Sequence, residues 1–247
     1  MAAMTLLSTH GLSKHYAGLK AVENVDFELP EGQVRALIGP NGAGKTTFVG
    51  LLSGRIPATA GEVHFNGQNV TRLKAHQRIS LAMAYTFQIT SVFARLDVNE
   101  NVALAARRVH GANRRAVKHA VDEALDRVKL LEHRRQIAGD MSYGHQRLLE
   151  IAMGLAQSPK LFILDEPTQG LTSTEVEAFK ALIKDLSSAA TILLIEHNMD
   201  VVMSTADYIT VLNFGEVLAE GDPESIHHNE AVQAAYLGSG PANGAGL

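Results

Sequence analysis

The chain has 247 residues, 46% hydrophobic and 19% charged, enough for one large domain or two small ones around a buried core. Its formal charge of −4 excludes the basic field of a nucleic-acid binder, so no nucleic-acid partner is expected. The absence of cysteine excludes disulfides, thiolate metal sites and a cysteine nucleophile, which fits a reducing cytoplasm. The start, Met1 to Leu7, lacks the basic residues and apolar core of a signal peptide, and no apolar run approaches the roughly 20 residues that cross a bilayer.

In chain order, Val25, Phe27 and Leu29 alternate with Asp26 and Glu28, the period-2 pattern of a half-buried strand. Pro30-Glu31-Gly32 turns the chain, and Val34-Arg35-Ala36-Leu37-Ile38 reads as a buried strand. It enters Gly39-Pro40-Asn41-Gly42-Ala43-Gly44-Lys45-Thr46, which fits G-x-x-x-x-G-K-[ST], a phosphate-binding loop. Glycines let several backbone N–H groups converge on one anion, Lys45 reaches toward β- and γ-phosphates, and Thr46 offers a hydroxyl to Mg²⁺. A helix from Thr46 and Thr47 to Leu52 leaves the loop with its N-terminus aimed at the phosphates. Glu62 to Phe65 then runs into Asn66-Gly67, a tight-turn pair.

From Asn101 to about Ser158 the pattern becomes helical. Val117, Val121, Ala124, Leu125 and Val128 recur at helical spacing, followed by Leu148, Leu149, Ile151, Ala152 and Leu155. This stretch reads as a helical subdomain inserted in an α/β core and ended by Pro159. Within it, Ser142-Tyr143-Gly144-His145-Gln146 opens a helix, as either an anion site or an ordinary N-cap and turn.

Leu161 to Leu164 is an apolar strand ending in Asp165-Glu166. A helix is expected from about Ser173 to Leu186, and Thr191 to Ile195 is a second buried strand followed by His197. Such alternation implies a parallel sheet. Carboxylates at the carboxyl end of a strand lie where ligands bind in open α/β sheets. Asp165 suits a Mg²⁺ shell and Glu166 an attacking water, although acids also cap helix starts. His197 is equally a γ-phosphate contact or a helix-start residue. The other ten histidines form no metal-ligand set, and His227-His228 reads as a solvated pair. Gly238 to Gly244 reads as a flexible tail, and no internal repeat is present.

Taken together, these motifs resemble an ATP-binding cassette (ABC) ATPase from about Thr5 to Gly238. Gly39 to Thr46 matches Walker A, Ser142-Tyr143-Gly144 sits at the family signature, Leu161 to Glu166 matches Walker B with the catalytic glutamate, and His197 matches the switch histidine. The resemblance gives meaning to two lone residues. Tyr16 falls where an aromatic stacks on adenine, and Gln88, in Thr86-Phe87-Gln88, falls at the Q-loop, which links the nucleotide site to the membrane subunit. Two departures stand out: His145 occupies the usual glutamine position of the signature, and Thr172 replaces the usual aspartate after Walker B.

The resemblance implies an α/β fold: a phosphate-loop NTPase core of ABC type, with an antiparallel β subdomain and an inserted helical subdomain. The cassette would span 5–238, with its core at 1–87 and 159–238, the helical subdomain at about 88–158 and a tail at 239–247. It implies ATP and Mg²⁺ as cofactors. Gly39, Pro40, Asn41, Gly42, Ala43, Gly44, Lys45, Thr46, Thr47, Tyr16, Ser142 and Gly144 would bind nucleotide. Thr46, Gln88 and Asp165 would hold metal, and Glu166, His197 and Gln88 would serve catalysis. Two cassettes, identical or related, would sandwich two ATP molecules head to tail. Membrane permease subunits, and indirectly a solute-binding protein, would complete the assembly on the cytoplasmic face of a prokaryotic inner membrane.

Thr86-Phe87-Gln88, Ser142-Tyr143-Gly144, Leu149-Glu150-Ile151-Ala152, Ile195-Glu196-His197-Asn198-Met199 and Ala235-Tyr236-Leu237-Gly238 are similar to prokaryotic uptake ATPases for branched-chain amino acids and related amides. Lipopolysaccharide-export ATPases share some of this pattern, including the ending. A non-transport cassette acting on DNA or ribosomes is the other alternative; those usually carry fused cassettes, coiled coils or basic extensions, none of which is found here.

Overall fold

The computed structural model describes residues 4–86 and 91–237. Strands β1 (Thr5–Tyr16), β2 (Leu19–Pro30) and β3 (Val34–Ile38) precede helix α1 (Lys45–Leu52), β4 (Ala60–Phe65) and β5 (Gln68–Asn69). Next come α2 (Ala75–Ser80), β6 (Met83–Thr86), α3 (Val98–His110), α4 (Arg114–Arg127) and α5 (Tyr143–Leu155). The chain then alternates through β7 (Leu161–Asp165), α6 (Ser173–Leu186), β8 (Thr191–Ile195) and α7 (Met199–Thr205). It closes with β9 (Tyr208–Asn213), β10 (Glu216–Gly221), α8 (Pro223–His227) and α9 (Glu230–Leu237).

The chain divides into two units. One holds the chain up to Glu31, Arg35–Leu73 and everything from Ala206 onward; the other holds Gly32–Val34 and Lys74–Thr205. In the first unit, β2-β1-β4-β5 form an antiparallel sheet. The alternation in β2 has its expected consequence: Val25, Phe27 and Leu29 are buried while Asp26 and Glu28 face water. Asn66 and Gly67 both have positive φ (49° and 74°) and close the β4–β5 hairpin. In the same unit β3 pairs parallel with β9, and β9 antiparallel with β10.

Arg35 breaks the apolar run of β3, yet it is buried. Its guanidinium lies 4.9 Å from the Phe27 ring and 4.4 Å from the Tyr208 ring, and donates to Thr210 (3.1 Å) and Glu220 (3.0 Å). Paired charge and stacked faces are what permit a cation there.

In the second unit β8, β7 and β6 run parallel. All five residues of β7 and all five of β8 are buried, as continuous apolar runs covered on both faces require. Helices α3, α4 and α5 pack on one another through Val102 and Ala106, Val121 and Leu125, and Leu149 and Ala152, all in one buried cluster. The helical pattern expected from Asn101 begins earlier, at Val98, because Asp97 caps α3 by accepting from Glu100 N–H (2.7 Å). Asn101 itself is fully buried. Its amide fastens the preceding loop, accepting from Phe93 N–H (2.7 Å) and donating to Asp97 O (2.9 Å). Helix α6 occupies the expected span, Ser173–Leu186.

Leu164 is fully buried in β7, one residue before Asp165. Leu164→Ala is expected to lower stability by about 2–5 kcal/mol, read as a lower urea midpoint with the far-UV spectrum of the folded state unchanged.

Candidate functional site

In the first unit, β3 delivers the chain into the loop at Gly39. Its φ is 150°, and a Cβ there would run into the Leu212 carbonyl, so only glycine fits. Ala43 N–H donates to Pro40 O (3.1 Å) and closes the loop. Gly215 N–H, in the β9–β10 turn, braces it by donating to Ala43 O (3.0 Å). The first helical bond of α1 runs from Phe48 N–H to Gly44 O (2.8 Å). The N–H groups before it lie outside the helical ladder, at the positive end of the helix. Buried Phe48, Val49, Leu51 and Leu52 fix the helix axis.

Lys45 is folded over this loop, its ammonium donating to Gly39 O (2.5 Å) and Pro40 O (3.1 Å). Thr46, Asn41 and Gly42 are exposed, while Pro40 and Thr47 are half-buried. The result is a curled backbone with a cation above it and a hydroxyl at its rim, which is chemistry for a polyphosphate. Tyr16, at the end of β1, is 45% exposed, with the Lys14 ammonium 5.0 Å from its ring centre. Its ring is not packed into a core. Tyr236 on α9, part of the C-terminal motif, lies beside the loop in the same unit. Burial pushes its hydroxyl pKa up, and the Gly39 backbone beside it pulls the other way.

In the second unit, Asp165 ends β7 and is buried, and its carboxylate accepts from the Tyr85 hydroxyl at 2.5 Å. Glu166 follows at φ 46°, a left-handed backbone that costs a non-glycine residue roughly 1–2 kcal/mol. Its N–H is held by Ile195 O (2.9 Å). Neither acid caps the next helix. Thr172 does that, in a capping box with Glu175. The amide and hydroxyl of Thr172 hold the Glu175 carboxyl below the usual carboxylate range. The threonine that stands in the family's aspartate position therefore has a local structural task.

His197 follows β8 and is exposed, and its ring has no hydrogen-bond partner among the described residues. Asn198 accepts from Asp200 N–H (3.1 Å) and Val201 N–H (3.4 Å) at the start of α7, so His197 is not the helix-start residue. Ser142 is the N-cap of α5, accepting from His145 N–H at 3.3 Å. Capping uses its oxygen as an acceptor, which leaves the hydroxyl hydrogen for an external acceptor. Gly144 is buried, and a Cβ there would collide with Glu175. His145 lies with its ring centre 5.0 Å from that of His133. Gln88 lies outside the described residues.

Three charged residues of this unit were missed as site elements. Arg147 donates to Asp165 O (2.6 Å), Pro167 O (3.4 Å) and Glu150 (2.5 Å). Glu196 accepts from Thr168 N–H (3.0 Å), the Thr168 hydroxyl (2.5 Å) and His197 N–H (3.1 Å). The signal was present: Arg147 and Glu150, opposite charges at i and i+3, sit among the apolar positions of α5. Arg147 with Glu150, and Glu196 from the end of β8, thus hold the backbone between Asp165 and Thr168, and Glu196 also holds that of His197.

A family model described as ABC transporter matches residues 22–169, and one described as branched-chain amino acid ATP-binding cassette transporter matches residues 216–242. The chain is 39% identical over 249 residues to the high-affinity branched-chain amino acid transport ATP-binding protein BraF of Pseudomonas aeruginosa, covering 94% of this chain and 98% of that one. Among solved structures, it is similar to the ADP conformation of an ATP-binding cassette of an ABC transporter (TM-score 0.86, 25% identity, 95% and 99% of the two chains). It is also similar to a dimeric bacterial ABC transporter cassette (TM-score 0.79, 25% identity, 88% and 99%).

Gly39→Ala places a side chain against the Leu212 carbonyl in a backbone region that L-residues avoid. The expected outcome is a loss of about 1–3 kcal/mol in stability, seen in urea unfolding, together with loss of nucleotide binding in a fluorescent-nucleotide titration.

Proposed function

Because this chain belongs to the ABC transporter family, as an ATP-binding and ATP-hydrolysing subunit, we propose that it powers uptake of branched-chain amino acids or closely related small solutes. The phosphate loop folded under Lys45 carries the nucleotide reading. The likeness to a branched-chain amino acid cassette model at the C-terminal end supports the solute class. The solute itself would be chosen by a binding protein and by permease subunits that this chain serves.

In this reading the backbone of Gly39 to Thr47 and the Lys45 ammonium hold the phosphates, and the Tyr16 ring stacks on adenine. Glu166 orients and deprotonates the attacking water. His197 bonds the γ-phosphate or the water, and Gln88 serves catalysis from the Q-loop that links the nucleotide site to the permease. Mg²⁺, when bound, neutralises charge that develops on the phosphates. Thr46, Asp165 and Gln88 would hold it. The donor chemistry fits, since hydroxyl, carboxylate and amide oxygens are hard ligands. Among the described residues no group of three or more His, Cys, Asp or Glu forms a self-sufficient metal cluster. Mg²⁺ is usually held by one or two carboxylates with phosphates and water, so such a cluster is not required.

A γ-phosphate needs donors on all sides, and one loop covers one side. Ser142 and Gly144 of a second cassette, the same chain or a relative, would supply the rest. Two subunits then clamp two ATP molecules, and hydrolysis loosens the clamp, a ligand-controlled two-state interface. The helical stretch from 88 to 158 would pass the motion to the permease. No described helix is long and apolar enough to cross a membrane. We therefore place the chain at the membrane through these partners, on its cytoplasmic face.

Glu166→Gln is expected to bind ATP and to pair in its presence, with turnover about 100-fold lower or less, measured by phosphate release. Wild-type turnover in that variant would overturn the general-base role. Lys45→Ala should weaken ATP binding by about 100-fold or more in the same titration, with an unchanged thermal midpoint in the absence of nucleotide. Co-purification from membranes should recover permease subunits; recovery of nucleic acid or ribosomes in their place would overturn the transport reading.

A further inference from the structure

Charged side chains are rarely found fully inside a core unless they are paired and hydrogen-bonded. In the second unit Arg147, Glu150 and Glu196 are 1%, 6% and 1% exposed, and Arg147, paired with Glu150, and Glu196 converge on one short stretch of backbone. Arg147 holds the carbonyls of Asp165 and Pro167, on either side of Glu166 (2.6 and 3.4 Å). Glu150 takes the remaining arm of the guanidinium (2.5 Å). Glu196 holds Thr168 through its N–H and its hydroxyl (3.0 and 2.5 Å). Between these grips, Glu166 has φ 46°. Its N–H is bonded to Ile195 O (2.9 Å) and its carbonyl accepts from Gln169 N–H (3.2 Å).

A left-handed non-glycine residue persists only where its surroundings over-determine it. Here the backbone on both flanks is fixed, so the direction in which the Glu166 side chain leaves the chain is fixed too. We propose that Arg147 is a positioning residue for ATP hydrolysis: it ties the first turns of α5 to the backbone around Glu166 and so sets the place of that carboxylate. The proposal rests on the reading of Glu166 as the group that activates water.

The chemistry calls for an arginine. Its planar fork carries donors in several fixed directions and can serve two carbonyls and a carboxylate at once, whereas a lysine is a single point of charge. The position on α5 gives the contact its consequence. The helix opens with Ser142 and Gly144, the donors proposed to meet the nucleotide of a second cassette. A shift of α5 when those donors engage would be carried by the guanidinium to the Asp165 and Pro167 carbonyls. Hydrolytic geometry would then be complete only in the closed pair. If the network served folding alone, apolar side chains of similar volume would replace it without loss of rate.

The test is a double-mutant cycle in the full chain, comparing wild type, Arg147→Lys, Glu166→Gln and the double variant. Each is measured for kcat, KM, nucleotide affinity and thermal midpoint. Arg147→Lys should lower kcat about 10- to 100-fold and leave KM and nucleotide affinity unchanged. On the Glu166→Gln background it should cause no further loss, because the group it positions is already disabled. Unchanged kcat in Arg147→Lys, a loss confined to KM, or an equal loss on both backgrounds would overturn the proposal and leave the role of Glu166 standing. Wild-type turnover in Glu166→Gln alone would remove the general-base role and the proposal with it. Should Arg147→Lys fail to fold, Glu150→Gln replaces it in the cycle: a smaller kcat loss with the same non-additivity supports the proposal, and unchanged kcat overturns it.

Discussion

Strands β7 and β8 are buried along their entire length. A strand covered on both faces has no place for an unpaired ionised group except at its ends, because desolvating a charge costs more than packing returns. The residues proposed to react follow that constraint. Asp165 closes β7 with Glu166 directly after it, His197 follows β8, and in the other unit the phosphate loop follows β3. Asp165, Glu166 and His197 each stand where a buried strand stops, so their origin is fixed even though the loop that carries them is short. The apolar residues behind these positions are therefore part of the functional apparatus, since they determine where the chemistry can be.

The exceptions clarify the rule. Arg35 lies inside β3 and Arg147 inside the apolar face of α5, and both are buried. Each is paired: Arg35 with Thr210, Glu220 and two aromatic faces, Arg147 with Glu150 and two carbonyls. Removing one member of such a set leaves a desolvated group unpaired, which makes these networks specific as well as stabilising. In the second unit Arg147 holds the backbone on either side of Glu166, so a buried structural contact flanks a residue proposed to act on water.

Helix starts carry a second theme. Ser142, Asn198 and Thr172 each accept backbone N–H groups at the beginning of a helix that borders the site. Capping and ligand recognition are compatible at Ser142, because the oxygen serves the helix and the hydrogen remains to be donated. The two departures from the family pattern acquire physical content in this setting. Thr172 caps α6 with Glu175, and His145 lies against His133. Both have partners close by in the chain or in the same unit.

The sequence by itself determined several elements and the phosphate-binding loop. Apolar runs of strand length, helical periodicity in the middle third and the Gly39–Thr46 loop each depend on nearest neighbours along the chain, and local rules read them. The Asn66-Gly67 turn and the α6 boundaries were legible for the same reason. Tertiary structure alone decided three things. The Asp165 carboxylate is held by Tyr85, eighty residues earlier in the chain. Glu166 sits in a left-handed backbone. The buried charges of α5 and of the end of β8 meet on the loop between them. Such contacts join residues far apart in sequence, and no periodicity records a hydrogen bond from a side chain to a distant carbonyl. They exist because folding removes water from these groups and leaves each of them only the partners that the packed chain provides.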